Sequence, residues 1–292
     1  MSTHTRALIL GGAGSAGNAW LIGIVAGLLE RGVDVTDADL IVGTSAGSTT
    51  AVQLVAGDPR ELYEATIAPV PPRLPEGPAA GRVNGPPRVN HLERTTAIIA
   101  ASADAVDMRR RLGASALELD AADDGTAAQR WRAVAASRLP SQEWPERRIV
   151  ITAVDARSGD PVLFDRDSGV ALADAVAAST SSGLPHRIGE DRYIDGGYRT
   201  NADNADLAAG YQRVLVLSPF GGRTRSPKEW GLHLADQIAA LHAAGSHVET
   251  VFPEDERLFG ANAMDPSLRA PAARSGHEQG VALADRIRAL WA

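Results

Sequence analysis

A chain of 292 residues with 44% hydrophobic content can bury a sizeable core, and because aromatics make up only 4%, aliphatic side chains must build most of it. A formal net charge of −7 excludes a general nucleic-acid binder, which needs a basic footprint to attract phosphates. The absence of cysteine excludes a disulfide framework and thiol catalysis, and fits a cytoplasmic protein.

Residues 7–10 read as a short buried strand, followed by a glycine-rich turn and an apolar helix from about Gly17 to Glu30 that stops at Gly32. Residues 19–29 are apolar enough to imitate the core of a signal peptide, but glycines interrupt the segment before them and Glu30, Arg31 and Gly32 offer no export-type cleavage site. No run approaches 18 uninterrupted apolar residues, so no membrane-spanning helix is expected. Residues 40–42 give a second strand, and residues 46–56 a second helix closed by Gly57, Asp58 and Pro59. Strand, helix, strand, helix in this rhythm predicts parallel pairing with helices on both faces. Both glycine turns then lie at the carboxyl ends of neighbouring strands, the edge where open α/β sheets place their ligand crevices.

Residues 69–87 hold seven of the 17 prolines (Pro69, Pro71, Pro72, Pro75, Pro78, Pro86 and Pro87), so they form a surface loop or lid rather than a core element. Residues 92–111 and 126–137 look helical and suited to capping the crevice. Arg109, Arg110 and Arg111 are the densest basic patch, read as a solvated helix face. Residues 148–154 and 162–164 form a hairpin around Arg157, Ser158, Gly159 and Asp160, and a helix follows over 170–178. Two more buried strands, 214–217 and 248–252, are separated by a helix over 230–244. From Gly276 onward Val281, Ala284, Ile287 and Leu290 recur at helical spacing. With no internal repeat and no clear linker, residues 1–292 are expected to form a single domain, with about 69–145 as a lid- or cap-like insertion.

Three motifs carry chemistry. The first, Gly11 to Gly17, follows the first strand and contains G-x-G-x-x-G, a dinucleotide-type turn. That reading wants an acidic residue at the end of the second strand, whereas residues 40–42 run into Gly43, and Asp34, Asp37 and Asp39 lie before the strand. The same loop suits an anion nest at a helix N-terminus, and an oxyanion is an anion. The second, Gly43-Thr44-Ser45-Ala46-Gly47, is a nucleophile elbow, a strand-to-helix turn on which Ser45 needs a nearby base. His233, His242, His247 and His277 follow it in an order a Ser-His-Asp α/β-hydrolase would accept. The third, Asp195-Gly196-Gly197, places a carboxylate at a strand end, where desolvation raises its pKa toward the useful range for a general base.

These motifs, in this order, resemble the patatin-like phospholipases, serine lipid acyl hydrolases that work with a Ser–Asp dyad. The likeness extends through "LADAVAAS" before Asp195 and "NADLAAG" after it. It implies a three-layer α/β sandwich with a mainly parallel central sheet flanked by helices, and a helical or loop lid. It further implies Ser45 and Asp195 as the catalytic pair and Gly12, Ala13 and Gly14 as the oxyanion hole, with Gly17, Gly43, Gly47, Gly196 and Gly197 supporting the motifs. The implied partner is a lipid or other acyl-ester substrate, with room for peripheral membrane contact, no metal or cofactor and no nucleic acid. The chain departs from the pattern twice. Ala13 replaces a glycine, and Ala16 stands where family members often carry Lys or Arg, which removes one stabiliser for a phosphate. A patatin-fold binding or regulatory protein without catalysis is the main alternative expectation, and a Ser-His-Asp hydrolase a second.

Overall fold

The computed structural model describes residues 5–69, 91–255, 259 and 263–292. The first strand, β1 (Arg6–Leu10), is buried on both faces. Leu8 and Leu10 join one apolar cluster with Trp20, Leu21 and Ile41, while Ala7 and Ile9 join a second with Leu40, Val42, Val214 and Val216. A strand covered on both sides reads as a continuous apolar run, the pattern of a parallel sheet between two helical layers. From β1 the chain continues through α1 (Gly14–Glu30), β2 (Leu40–Gly43), α2 (Ala46–Ala56), α3 (Pro59–Ile67), α4 (His91–Ala100), α5 (Ala105–Ala121) and α6 (Thr126–Ser137). It then forms β3 (Ile149–Asp155), β4 (Pro161–Phe164), α7 (Leu172–Ser179), β5 (His186–Ile188), β6 (Asp191–Asp195), β7 (Arg213–Leu217), α8 (Leu234–Ala243), β8 (His247–Val251) and α9 (Arg269–Trp291).

The sheet runs β5-β6-β3-β2-β1-β7-β8, with β4 paired to β3. Pairings from β3 through β8 are parallel, and the β3–β4, β3–β6 and β5–β6 pairings are antiparallel. The architecture is thus a mainly parallel α/β sandwich, in which the carboxyl ends of β1 and β2 lie side by side with Leu10 opposite Gly43.

The segment that imitates a signal peptide is α1, buried from Ala16 to Leu28. A helix that is apolar all round has to be covered all round, and α9 covers the side that the sheet does not. Gly23 and Gly27 of α1 lie against the α9 main chain at Ala273 and His277. Gly276 and Gly280 of α9 lie against Trp20 and Ile24 of α1. A β-carbon at any of the four would overlap the opposite backbone, so small residues at these positions set the distance between the helices.

Several elements differ from the expectations. Residues 92–111 are two helices, because the Asp104 side chain accepts the N–H groups of Val106 and Asp107 at 2.8 Å and starts α5 afresh as an N-cap. The helix expected over 230–244 begins at Leu234, since Gly231 with φ of +64° ends a 3-10 turn over Lys228–Trp230. The tail helix starts at Arg269, seven residues before Gly276. Of the Arg109–Arg111 patch, Arg110 and Arg111 are exposed as expected, whereas Arg109 is half-buried and donates from Nε to Gly159 O at 2.8 Å. Most of the proline-rich segment, residues 70–87, lies outside the described residues.

Candidate active site

The elbow is formed where β2 ends at Gly43 and α2 begins at Ala46. Ser45 between them has φ of 51° and ψ of −120°, a region that non-glycine residues enter at a cost. Surrounding contacts hold it there. Its N–H donates to Ser179 Oγ at 2.9 Å, and Thr44 N–H donates to Leu10 O at 3.1 Å. Gly47 sits flush against the Leu10 carbonyl, where any side chain would overlap it, and Gly43 packs in the same way on the Ser48 backbone.

Asp195 ends β6, anchored by its N–H to Ser181 O at 2.9 Å. Gly196 lies flat on Thr152, with no room for a β-carbon. The two carboxylate oxygens have separate donors: Oδ1 accepts Gly197 N–H at 2.8 Å, and Oδ2 accepts the Ser45 hydroxyl at 2.8 Å. The side chain is buried, and burial pushes its pKa up to about 6 against the lowering effect of those two hydrogen bonds. Beneath the pair, Asn204 Nδ2 donates to Thr44 Oγ1 and Gly196 O at 3.0 Å each, and Thr152 Oγ1 donates to Thr44 Oγ1 at 3.1 Å. Asn204, itself at φ of +56°, thereby links the elbow to the Asp-Gly-Gly turn.

The glycine turn after β1 lies alongside. Gly12 faces Ser45 so closely that an added β-carbon would come within 2.9 Å of Ser45 Cβ. Its N–H is donated to Ala202 O at 2.8 Å, and that of Ala16 to Ala263 O at 2.9 Å. Gly12 therefore acts as a spacer beside the hydroxyl, not as the anion donor expected from the sequence. Donors remain at the head of α1, where the first N–H groups of a helix have no intrahelical acceptor. Gly14 starts the helix at φ of +58°, and Ala13 provides no side-chain cap. Ala13 and Gly14 thus stand at the positive end of the helix and line the same cleft as Ser45.

Ser45 and Asp195 open into a cleft of about 1080 Å³. Its walls include apolar residues of the three helices expected to cap the crevice: Leu92 and Ile99 of α4, Met108 of α5 and Trp131 of α6. The profile of the patatin-like phospholipase family matches residues 8–208, more than half of the chain and all three motifs. The chain belongs to the patatin-like phospholipase family. Among solved structures it is similar to VipD from Legionella pneumophila, at 13% identity and a TM-score of 0.43, covering 97% of this chain and 67% of that one. No curated protein matches it significantly.

The family is one of lipid acyl hydrolases, and among the described residues no late histidine of this patatin-like chain is hydrogen-bonded to Ser45 or Asp195. His233 Nε2 lies 2.9 Å from Ser226 O, His242 Nδ1 lies 3.1 Å from Ser246 O, His277 pairs with Glu30 at 2.9 Å, and His247 is exposed at the start of β8. Each of the three with a partner is held away from Ser45. Among the described residues, no cluster of three or more His, Asp or Glu side chains is placed to hold a metal ion, and no helix is long and apolar enough to cross a membrane.

Sequence reasoning missed three contributors. Ser179 holds the elbow amide, Asn204 joins the two turns, and Arg269 reaches the glycine loop from α9. Arg269 Nη1 donates to Ser15 O at 3.1 Å and to Asn18 Oδ1 at 3.0 Å, so a cation does stand at this patatin-like loop although Ala16 supplies none. Ser179 lies in the "LADAVAAS" stretch and Asn204 begins "NADLAAG", so their neighbourhood was marked in the sequence though their roles were not. Nothing local to Arg269 marks it.

Proposed function

We propose that the chain is a serine acyl-ester hydrolase acting on lipid esters, of phospholipase A or lysophospholipase type, through Ser45 and Asp195. The hydrogen bond of 2.8 Å from the Ser45 hydroxyl to Asp195 Oδ2 carries the reading. A buried carboxylate with a pKa of about 6 is ionised at neutral pH and still basic enough to take the hydroxyl proton. Ser45 Oγ attacks the ester carbonyl as Asp195 takes its proton. The resulting oxyanion is received by the Ala13 and Gly14 amides, each worth roughly 3 to 4 kcal/mol in such a role. Collapse expels the alcohol, which takes the proton from Asp195 and leaves an acyl-serine. Water then repeats the sequence with Asp195 again as base, releasing the acid and restoring the hydroxyl.

Screening esters of increasing acyl length beside phospholipids, with a fluorophosphonate probe and Ser45→Ala as control, tests this. Hydrolysis and labelling that both vanish in Ser45→Ala support it. A wild-type protein that folds, resists the probe and hydrolyses nothing is the catalytically inactive binding or regulatory member of the family instead.

A further inference from the structure

Among the described residues, four buried side-chain nitrogen or oxygen atoms have no hydrogen-bond partner: His186 Nδ1, Arg199 Nε, Asp203 Oδ1 and Asp236 Oδ2. Of these four residues, only His186 lines the cleft into which Ser45 and Asp195 open. Its side chain is 2% exposed, and no step of the proposed hydrolysis uses it.

The chemistry of the free nitrogen is fixed by the other side of the ring. Nε2 lies 2.9 Å from Asp174 Oδ1, the oxygen that also takes Arg132 Nε at 2.8 Å. A carboxylate oxygen accepts, so Nε2 carries the ring proton and Nδ1 presents a bare lone pair. Burial, working against the hydrogen bond to Asp174, holds the imidazole below its usual range, so the ring is neutral at physiological pH and Nδ1 remains an acceptor. A buried acceptor left without a donor costs stability. Neighbouring donors are committed elsewhere: Trp131 Nε1 to Thr180 Oγ1 at 3.1 Å, Thr180 Oγ1 to Val176 O at 2.7 Å, and Ser181 Oγ to Ala177 O at 2.7 Å.

Strand register sets how far this acceptor stands from the reaction centre. His186 of β5 is opposite Tyr193 of β6, two residues before Asp195. Opposed residues share a sheet face, as do residues two apart, so His186 and Asp195 are on one face with their backbones roughly 8 Å apart. The wall on this side is apolar, with Ala128 and Trp131 of α6 and Leu184 and Pro185 ahead of β5. Such a wall takes hydrocarbon, and the acceptor beside it takes one neutral donor. A glycerol-type alcohol carries its hydroxyls within a few bonds of the ester oxygen, too near to span that distance.

We infer that His186 is a specificity-determining residue whose Nδ1 accepts a hydrogen bond from a hydroxyl on the substrate's acyl chain, several bonds beyond the scissile carbonyl. The preferred substrate is then a hydroxyacyl ester. The inference rests on the Ser45–Asp195 reading for the position of that carbonyl.

The test compares substrates on the wild-type protein, so it does not depend on a variant folding. The kcat/KM for p-nitrophenyl 6-hydroxyhexanoate exceeds that for the hexanoate about tenfold, whereas the 6-methoxy and 6-oxo analogues, which only accept, gain nothing. His186→Phe, with an unchanged melting temperature, brings the hydroxy and plain esters to equal kcat/KM. In a binding arm, Ser45→Ala protein titrated calorimetrically takes methyl 6-hydroxyhexanoate about tenfold more tightly than methyl hexanoate. Equal treatment of hydroxy and plain esters overturns the subsite while leaving hydrolysis intact. A gain for the 6-oxo ester overturns it as well, because Nδ1 would then be a donor. An advantage confined to 6-hydroxyhexyl hexanoate over hexyl hexanoate overturns the acyl assignment and seats the leaving alcohol there. Selective binding of the hydroxy ester without hydrolysis by the wild-type protein supports the subsite and sinks the Ser–Asp reading alone.

Discussion

The hydroxyl of Ser179, at the end of α7, accepts the backbone N–H of Ser45 at 2.9 Å. Both residues meet in a region where Ser179 is fully buried, so no solvent can replace the contact. Removing it leaves a buried donor on a residue already held at positive φ, a loss of roughly 1 to 3 kcal/mol. Ser179→Ala should lower kcat about tenfold with little change in KM, because the nucleophile is displaced while the cleft is not. Steady-state kinetics separates the two constants. A fall in stability with kcat intact would make Ser179 a structural residue only.

The proposed base must be ionised to act. Burial raises Asp195 to about 6, so kcat/KM should fall tenfold per pH unit below about 6 and level off above it. An ordinary exposed carboxylate would place that limb near 4. Asp195→Asn keeps the shape but cannot take a proton, and should lose about 10²- to 10⁴-fold in rate. A pH–rate profile on a neutral ester, whose own charge does not titrate, reads the limb directly.

Gly14 holds φ of +58° and lies against Ala263 and Met264. Alanine there costs about 1 to 2 kcal/mol for the left-handed backbone alone, and the crowding adds to it. Gly14→Ala should therefore reduce the rate more than substrate affinity, since the amide it moves is one proposed to meet the oxyanion. Comparing the inhibition constant of a transition-state analogue with KM gives the answer. Equal weakening of both would remove Gly14 from the hole.

Asp203 lies directly under the same loop, so near Gly11 that a β-carbon on that glycine would overlap its Oδ1, which has no hydrogen-bond partner among the described residues. Burial raises its pKa to about 7, partly opposed by a hydrogen bond with Ser218. The folded state thus prefers the neutral acid, whereas the unfolded chain ionises near 3.9. Stability from this group is full below about pH 4 and is lost progressively as pH rises to about 7. Asp203→Asn, neutral throughout, should exceed the wild type at pH 8 by on the order of 2 kcal/mol and show a smaller stability difference between pH 4 and pH 8. Urea unfolding at the two pH values measures this. Identical pH dependence in variant and wild type would mean that the carboxyl is ionised in the fold.

Much of the architecture could be read from the chain because its signals are local. Residues 7–10 and 40–42 are apolar runs followed at once by glycine turns, and these became β1, β2 and the walls of the site. What escaped depends on partners far along the chain. The short β5, with the polar sequence His186–Ile188, exists by pairing with β6, of which only the end before Asp195 was legible. The break before α5 turned on one capping aspartate inside a helical pattern. At the candidate site, the turns that carry Ser45 and Asp195 were legible because glycines flank both, and the two side chains meet in a hydrogen bond. The use of the Gly12 amide was not, because its acceptor is Ala202, in the turn after Asp195. Arg269 lies 251 positions from the Asn18 it touches, and no periodicity records such a pairing.

The four glycines between α1 and α9 bring two main chains together with no compliant side chain in between. Displacement of one helix is passed to the other as by a rigid rod. Since the head of α1 carries the Ala13 and Gly14 amides, α9 works as a keel for the far end of the chain. It lies beyond the residues by which the family is recognised, so an alteration there reaches the proposed oxyanion donors without touching a single motif.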